Sequence, residues 1–164
     1  MAAAAYPRVV RVGVFVEESR SFIAEAVAAA RLDAVQIHRP LRAQDLEANS
    51  VPVIAVVSVA AGAATLPPVK LLRRCRWLLF DAGGSQRAGG TGTRFDWDVV
   101  AGKAFSLPVY LAGGLDAEVV GEAIARVHPD GVDVASGVER DPGVKDPERM
   151  RRFFEAVYRA DEER

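Results

Sequence analysis

The sequence predicts an α/β protein built on a parallel sheet. Short runs rich in Val, Ile and Leu recur along the chain, and helical patterns fall between several of them. The runs begin roughly every 20 to 30 residues, the length of one βα unit. They are nearly continuous rather than strictly alternating, as in strands covered on both faces or filling a barrel. Right-handed crossovers follow from such an order. Two arrangements satisfy the pattern, an open doubly wound sheet and part of a (β/α)8 barrel. Periodicity alone does not separate them.

The strand candidates, in order, are "VVRVGVFV" (Val9–Val16), "AVQIH" (Ala34–His38), "VIAVVSV" (Val53–Val59), "WLLFD" (Trp77–Asp81), "VYLA" (Val109–Ala112) and "GVDVA" (Gly131–Ala135). Between the first two, "SRSFIAEAVAAARL" sets Ile23, Ala26, Val27 and Ala30 on one helical face, with alanine as a strong helix former. Weaker helices are expected over Leu41–Asn49 and Pro68–Arg74, and a short one within "FDWDVVAGKA". "AEVVGEAIARV" carries an apolar stripe of Val119, Val120, Ala123, Ile124 and Val127. The last helix starts with Asp146 as N-cap and Pro147 at its first position, with Met150, Phe153, Phe154 and Val157 as its apolar face.

The 164 residues suffice for one domain and one sizeable core. Residues 9–164 are expected to form it, with 1–8 irregular or disordered. Half of the residues are hydrophobic, and 21 basic residues face 22 acidic ones, which argues against disorder and against a field that steers the chain to nucleic acid or membrane. The basic pieces "LLRRCR" and "RMRR" read as solvated helix faces. Cys75 is the only cysteine, so neither an intrachain disulfide nor a cysteine-built zinc site is available; this fits a reducing, cytoplasmic setting. No apolar run reaches the roughly 18 residues that span a bilayer. "MAAAAYP" lacks the length and basic start of a signal peptide.

In both arrangements function sits at the carboxyl ends of the strands. The fourth run ends at Asp81, and the loop beyond it holds Gly83, Gly84, Gly89, Gly90 and Gly92. Either a mobile lid over a site or a plain surface loop would read this way. The fifth run ends in "LAGGLD" and the sixth in "VASGVER", one βα unit apart. Gly113–Gly114 and Ser136–Gly137 would let backbone N–H groups approach an anion, and a short helix start after the last strand would add its positive end. Phosphate sites in (β/α)8 barrels lie in the loops after the last two strands, so this pair favours the barrel. "GGTGT" and "GSQRAGG" match neither a dinucleotide fingerprint nor a P-loop.

Taken in order, "VGVFV", "AVQIH", "LLFDA", "GGTGTRFDW", "LAGGLDAEVV" and "DGVDVASGVERDPGVKD" resemble the phosphoribosylanthranilate isomerase family of tryptophan biosynthesis, from about Val9 to the C-terminus. The resemblance implies a TIM barrel. It also implies an Amadori rearrangement of N-(5-phosphoribosyl)anthranilate to the 1-deoxyribulose compound, an aldose–ketose isomerisation without cofactor or metal. By the same resemblance Asp81 is the acid that protonates the ring oxygen. Partial burial that raises its pKa would suit that task. Gly113, Gly114, Ser136 and Gly137 match the phosphate-binding positions. Asp133 lies on the anthranilate side, and His38 matches the histidine of the family's Gln-Leu-His-Gly run, which here ends in Arg39. The partner is then a phosphorylated sugar, with no nucleic acid or membrane.

Two departures accompany the resemblance. The family's base is a cysteine in a Lys-Ile-Cys-Gly run that this sequence lacks, and "VVRVGVFV" matches the family's third strand. The expectation is an incomplete barrel of about six βα units, strands 3–8, without the first two and without the arginine that helps hold the anthranilate carboxylate. Cys75 precedes "WLLFD", so it belongs at the amino end of a strand as a small buried hydrophobe. Six strands leave open sheet edges that invite self-association. The competing expectation is a non-catalytic phosphate-binding chain that needs a partner or a longer N-terminus.

Overall fold

A computed structural model describes residues 9–48, 50–60, 62–82 and 95–164. The expected irregular segment 1–8 and the glycine-rich loop 83–92 lie outside the described residues. The chain runs β1 (Val12–Phe15), α1 (Arg20–Ala30), β2 (Ala34–Ile37), α2 (Ala43–Ala48), β3 (Val53–Ala60), β4 (Ala63–Ala64), α3 (Val69–Leu72), β5 (Trp77–Asp81), β6 (Val109–Leu111), α4 (Val120–Val127), β7 (Gly131–Val132), β8 (Glu139–Asp141), β9 (Val144–Lys145) and α5 (Pro147–Glu162). Single 3-10 turns sit at Trp97–Val99 and Ser136–Val138.

Six strands pair in parallel in the order β1, β2, β3, β5, β6, β7, with β4 folded back antiparallel on β3. A doubly wound sheet reverses its strand order at a switch point; this order never reverses. The two faces differ as well. Val35, Ile37, Ala55, Val57, Leu78, Phe80 and Leu111 form one core with helix residues such as Ile23, Val27, Ile124 and Phe153. The opposite face carries a small cluster of Ile54, Leu79 and Ala112, flanked by Val56, Trp77 and Tyr110, with no helix residue in it. Helices outside and side chains alone inside is the layering of a barrel wall.

Local chemistry sets the boundaries. Ser19 caps α1 by accepting from the Phe22 N–H at 3.2 Å. Asp146 caps α5 through the Glu148 and Arg149 N–H groups, with Pro147 inside the first turn. The buried face of α5 runs through Phe153 and Ala160, with Ala156 and Val157 packed against the core, while Met150 and Phe154 are exposed. Of the expected apolar face, therefore, only Phe153 and Val157 point inward: the true stripe steps by three and four from Phe153. In α1 Ile23 and Val27 are buried and Ala30 is exposed. The last parallel strand is shorter than its apolar run, and only the Asp133 N–H, donating to the Leu111 carbonyl at 2.7 Å, continues its ladder. The β8–β9 hairpin turns at Gly143, whose φ of 78° is in the left-handed region.

Candidate active site

Strand alternation builds the site. Register places Val14 beside Gln36, Gln36 beside Ile54, Ile54 beside Trp77, and Tyr110 beside Gly131. With a period of two, Val14, Gln36, His38, Asp81, Ala112 and Asp133 fall on the helix-free face, toward the carboxyl ends of the strands. They meet in a cavity of about 180 Å³, closed further by Gly113, Gly114, Leu115, Val134, Ala135 and Ser136. Asp81, His38, Asp133, Gly113, Gly114 and Ser136 thus share one cavity. Gly137 is not in its lining. It backs the Ser136 turn, where a Cβ would lie 1.9 Å from the Leu115 carbonyl oxygen, and it borders a second depression with Asp116, Ala117, Glu118, Arg149 and Arg152.

Four side chains form the polar wall. His38 Nδ1 lies 3.7 Å from Asp81 Oδ2, and both side chains are largely covered. His38 Nε2 lies 2.8 Å from Gln36 Nε2. The Gln36 amide also acts on the Asp133 carboxyl. Burial pushes the Asp133 carboxyl above the usual carboxylate range. The Gln36 amide opposes that rise, the Asp81 charge adds to it, and His38 and Lys145 oppose it. Gln36 was not singled out from the sequence, although it stands two residues before His38 and so shares its face.

The glycine pair is held tightly. Gly113 and Gly114 take φ values of 82° and 64°, and a Cβ on Gly113 would approach Asp81 Oδ1 and the Ala82 backbone within 2.7 Å. Across the cavity, Lys145 Nζ donates to the Ala135 carbonyl at 2.8 Å and to Glu139 Oε1 at 2.7 Å, which fixes the turn that carries Ser136. Two polar backbone turns thus frame one end of the cavity, and carboxylate, imidazole and amide line the other.

Arg39, which takes the place of a glycine in the resembling run, faces elsewhere. It grips Asp45 through two hydrogen bonds of 2.7 Å, in a pair that is almost fully buried. Cys75 is also buried, its thiol pushed up to about 11 by burial, and it precedes β5 at the end opposite Asp81. Among the described residues no cluster of His, Cys, Asp or Glu suits a metal ion, and no helix is long and apolar enough to cross a membrane.

A parallel wall of βα units with a carboxylate-lined cavity of about 180 Å³ at its carboxyl edge defines a TIM-barrel type of chain. The comparisons with known proteins narrow this class. The family model for N-(5'-phosphoribosyl)anthranilate (PRA) isomerase matches residues 2–156. An N-(5'-phosphoribosyl)anthranilate isomerase of Moorella thermoacetica is 43% identical over 157 residues, which is 95% of this chain and 70% of the relative. The crystal structure of phosphoribosyl anthranilate isomerase from Thermus thermophilus superposes with a TM-score of 0.74 at 28% identity, over 94% of this chain and 74% of that one. A structure of monomers generated from the dimeric enzyme of Thermotoga maritima gives 0.67 at 29% identity, over 92% and 73%. The chain belongs to the phosphoribosylanthranilate isomerase family.

Proposed function

We propose that this chain is a phosphoribosylanthranilate isomerase wall in which Asp81 is the proton donor and the Gly113–Gly114 and Ser136 turns hold the substrate phosphate. The observation that carries this reading is the convergence of both groups on one cavity. The phosphate anchors one end of the sugar, and Gly137 acts from behind by letting the Ser136 turn approach Leu115. Asp81 then gives its proton to the ring oxygen as the C1–O bond breaks, and the nitrogen lone pair takes up the positive charge at C1. Loss of the C2 proton to a base that none of these residues supplies returns those electrons to nitrogen as the enol-amine forms, and protonation at C1 with release of the enol O–H proton completes the ketose. No redox partner is needed. His38 and Asp133 line the same cavity as Asp81. The reaction is a cytoplasmic step of tryptophan biosynthesis.

A second reading keeps phosphate binding and places the C2 base on a partner. It is favoured by the open edge of β1, where Val14 of the cavity wall is 57% exposed. Turnover of N-(5-phosphoribosyl)anthranilate and binding of inorganic phosphate, measured on the same preparation, separate the two. The isomerase reading expects both, with Asp81→Asn losing roughly 10²- to 10⁴-fold in turnover while phosphate affinity holds. Phosphate binding without turnover supports the second reading. Near-normal turnover in Asp81→Asn would take Asp81 out of the acid role.

A further inference from the structure

Gln36 is one of two buried polar residues among the described residues; the other, Asp45, is committed to Arg39. No step of the isomerisation assigns Gln36 a task. We propose that Gln36 is a positioning residue whose side-chain amide fixes the ring tautomer of His38, so that the His38 Nδ1–H faces Asp81.

The argument is stereochemical. Gln36 Nε2 and His38 Nε2 stand 2.8 Å apart. An amide nitrogen only donates. The ring nitrogen opposite it therefore accepts, and a neutral ring must then carry its proton on Nδ1. The amide has two hydrogens, and the same side chain acts on the Asp133 carboxyl, opposing the rise in its pKa. Turned over, the amide would set its oxygen toward the Asp133 carboxylate, so that neighbour favours the orientation in which the amide hydrogens face it and the ring. Gln36 itself is held by the sheet, through the register of β2 between β1 and β3.

The far side of the ring faces Asp81, with Nδ1 at 3.7 Å from Oδ2. That is too long for a hydrogen bond but close for an oriented N–H dipole. The consequence for turnover rests on the isomerase reading. When Asp81 gives up its proton it becomes an anion, and an N–H aimed at it stabilises that anion. The other tautomer would present a lone pair instead.

The tautomer is read directly from ¹⁵N shifts of the full chain at about pH 8, above the ordinary imidazole value of about 6.5. The chain has two histidines, and His128 is exposed, so it reports the solvent preference, which for a free imidazole side chain is Nε2–H. His38 should read Nδ1–H and His128 Nε2–H. Gln36→Met, which keeps length but lacks the donor, should return His38 to Nε2–H. Gln36→Glu, which sets only oxygens against the ring, should draw the proton to Nε2 and serves also if the Met variant does not fold. Nε2–H at His38 in the unmutated chain would overturn the proposal, as would Nδ1–H persisting in a folded variant. Absent turnover with Nδ1–H retained at His38 would count against the isomerase reading and leave the tautomer assignment standing.

Discussion

Asp133 and Asp81 are two carboxylates on one face of one sheet, and their surroundings set them apart. Asp133 is held among Gln36, Asp81, His38 and Lys145, and burial raises its pKa above the ordinary 3.8. A carboxyl whose folded pKa exceeds its unfolded value binds protons more readily in the folded state, so stability falls as pH rises through that interval. Below 3.8 the penalty is absent, and above the raised folded value it is fully present. Asp133→Asn removes it. The substituted chain should gain on the order of 1 kcal/mol near neutral pH, the usual size for relieving a functional site. The thermal midpoint should rise by roughly 2–4 °C. Thermal melts across pH check this, and the gap between the two chains should close as pH falls toward 3.8. A substituted chain that is the less stable of the two near neutral pH, with its deficit closing in acid, would mean that Asp133 is held chiefly as an ion. Activity should move the other way, because the same carboxylate orients Gln36.

At the scale of elements, the connection after β2 depends on a buried ion pair. Asp45 accepts two hydrogen bonds from Arg39 and one from the Arg42 N–H, which ties the start of α2 to the end of β2. Burial alone would raise the Asp45 pKa, but the Arg39 guanidinium and the Arg42 N–H outweigh it and hold the carboxyl below 3.8. That contribution is present above 3.8 and is lost as pH falls through the lowered value. Asp45→Ala leaves a buried guanidinium without its carboxylate and should cost roughly 3–5 kcal/mol. Replacing both residues by Met and Leu should recover much of the loss, and denaturant melts of the single and double variants decide it. Neither Arg39's partner nor its burial was legible in the sequence, because the pair forms only when the loop closes. Other features were plain. β5 read directly as Trp77–Asp81, since a continuous apolar run stopped at a charge. β7 shrank from its five-residue run to Gly131–Val132 because an edge strand has one neighbour to define its ladder. The β8–β9 hairpin was missed: its strands are polar, and it rests on the Gly143 turn and the Lys145–Glu139 pair rather than on apolar alternation. In the site, residues at strand ends announced themselves, while Gln36, inside a strand, became visible only through the face it shares with His38.

For the whole molecule the open question is the edge of the sheet. Among the described residues β1 pairs only with β2, and β7 only with β6. The valines that lead into and along β1 are uncovered, with Val10 at 52% and Val12 at 39% exposure. Both share the face of Val14, which lines the cavity, so the edge of the sheet and the wall of the site are one surface. An unpaired parallel edge with apolar side chains is a template for another chain. The chain should therefore self-associate in a concentration-dependent way, and turnover per chain should rise with association, because a partner that covers β1 also closes the cavity. Lysine is a natural edge blocker. A chain with Val10→Lys and Val12→Lys should stay monomeric, and its thermal midpoint should not exceed that of the unmutated chain, since the substitutions touch little that is buried. Sedimentation over a concentration series, with turnover measured on the same samples, carries the test. If the unmutated chain sediments as a stable monomer whose turnover per chain is flat across the series, the β1 edge is not an interface and the cavity works without a neighbour.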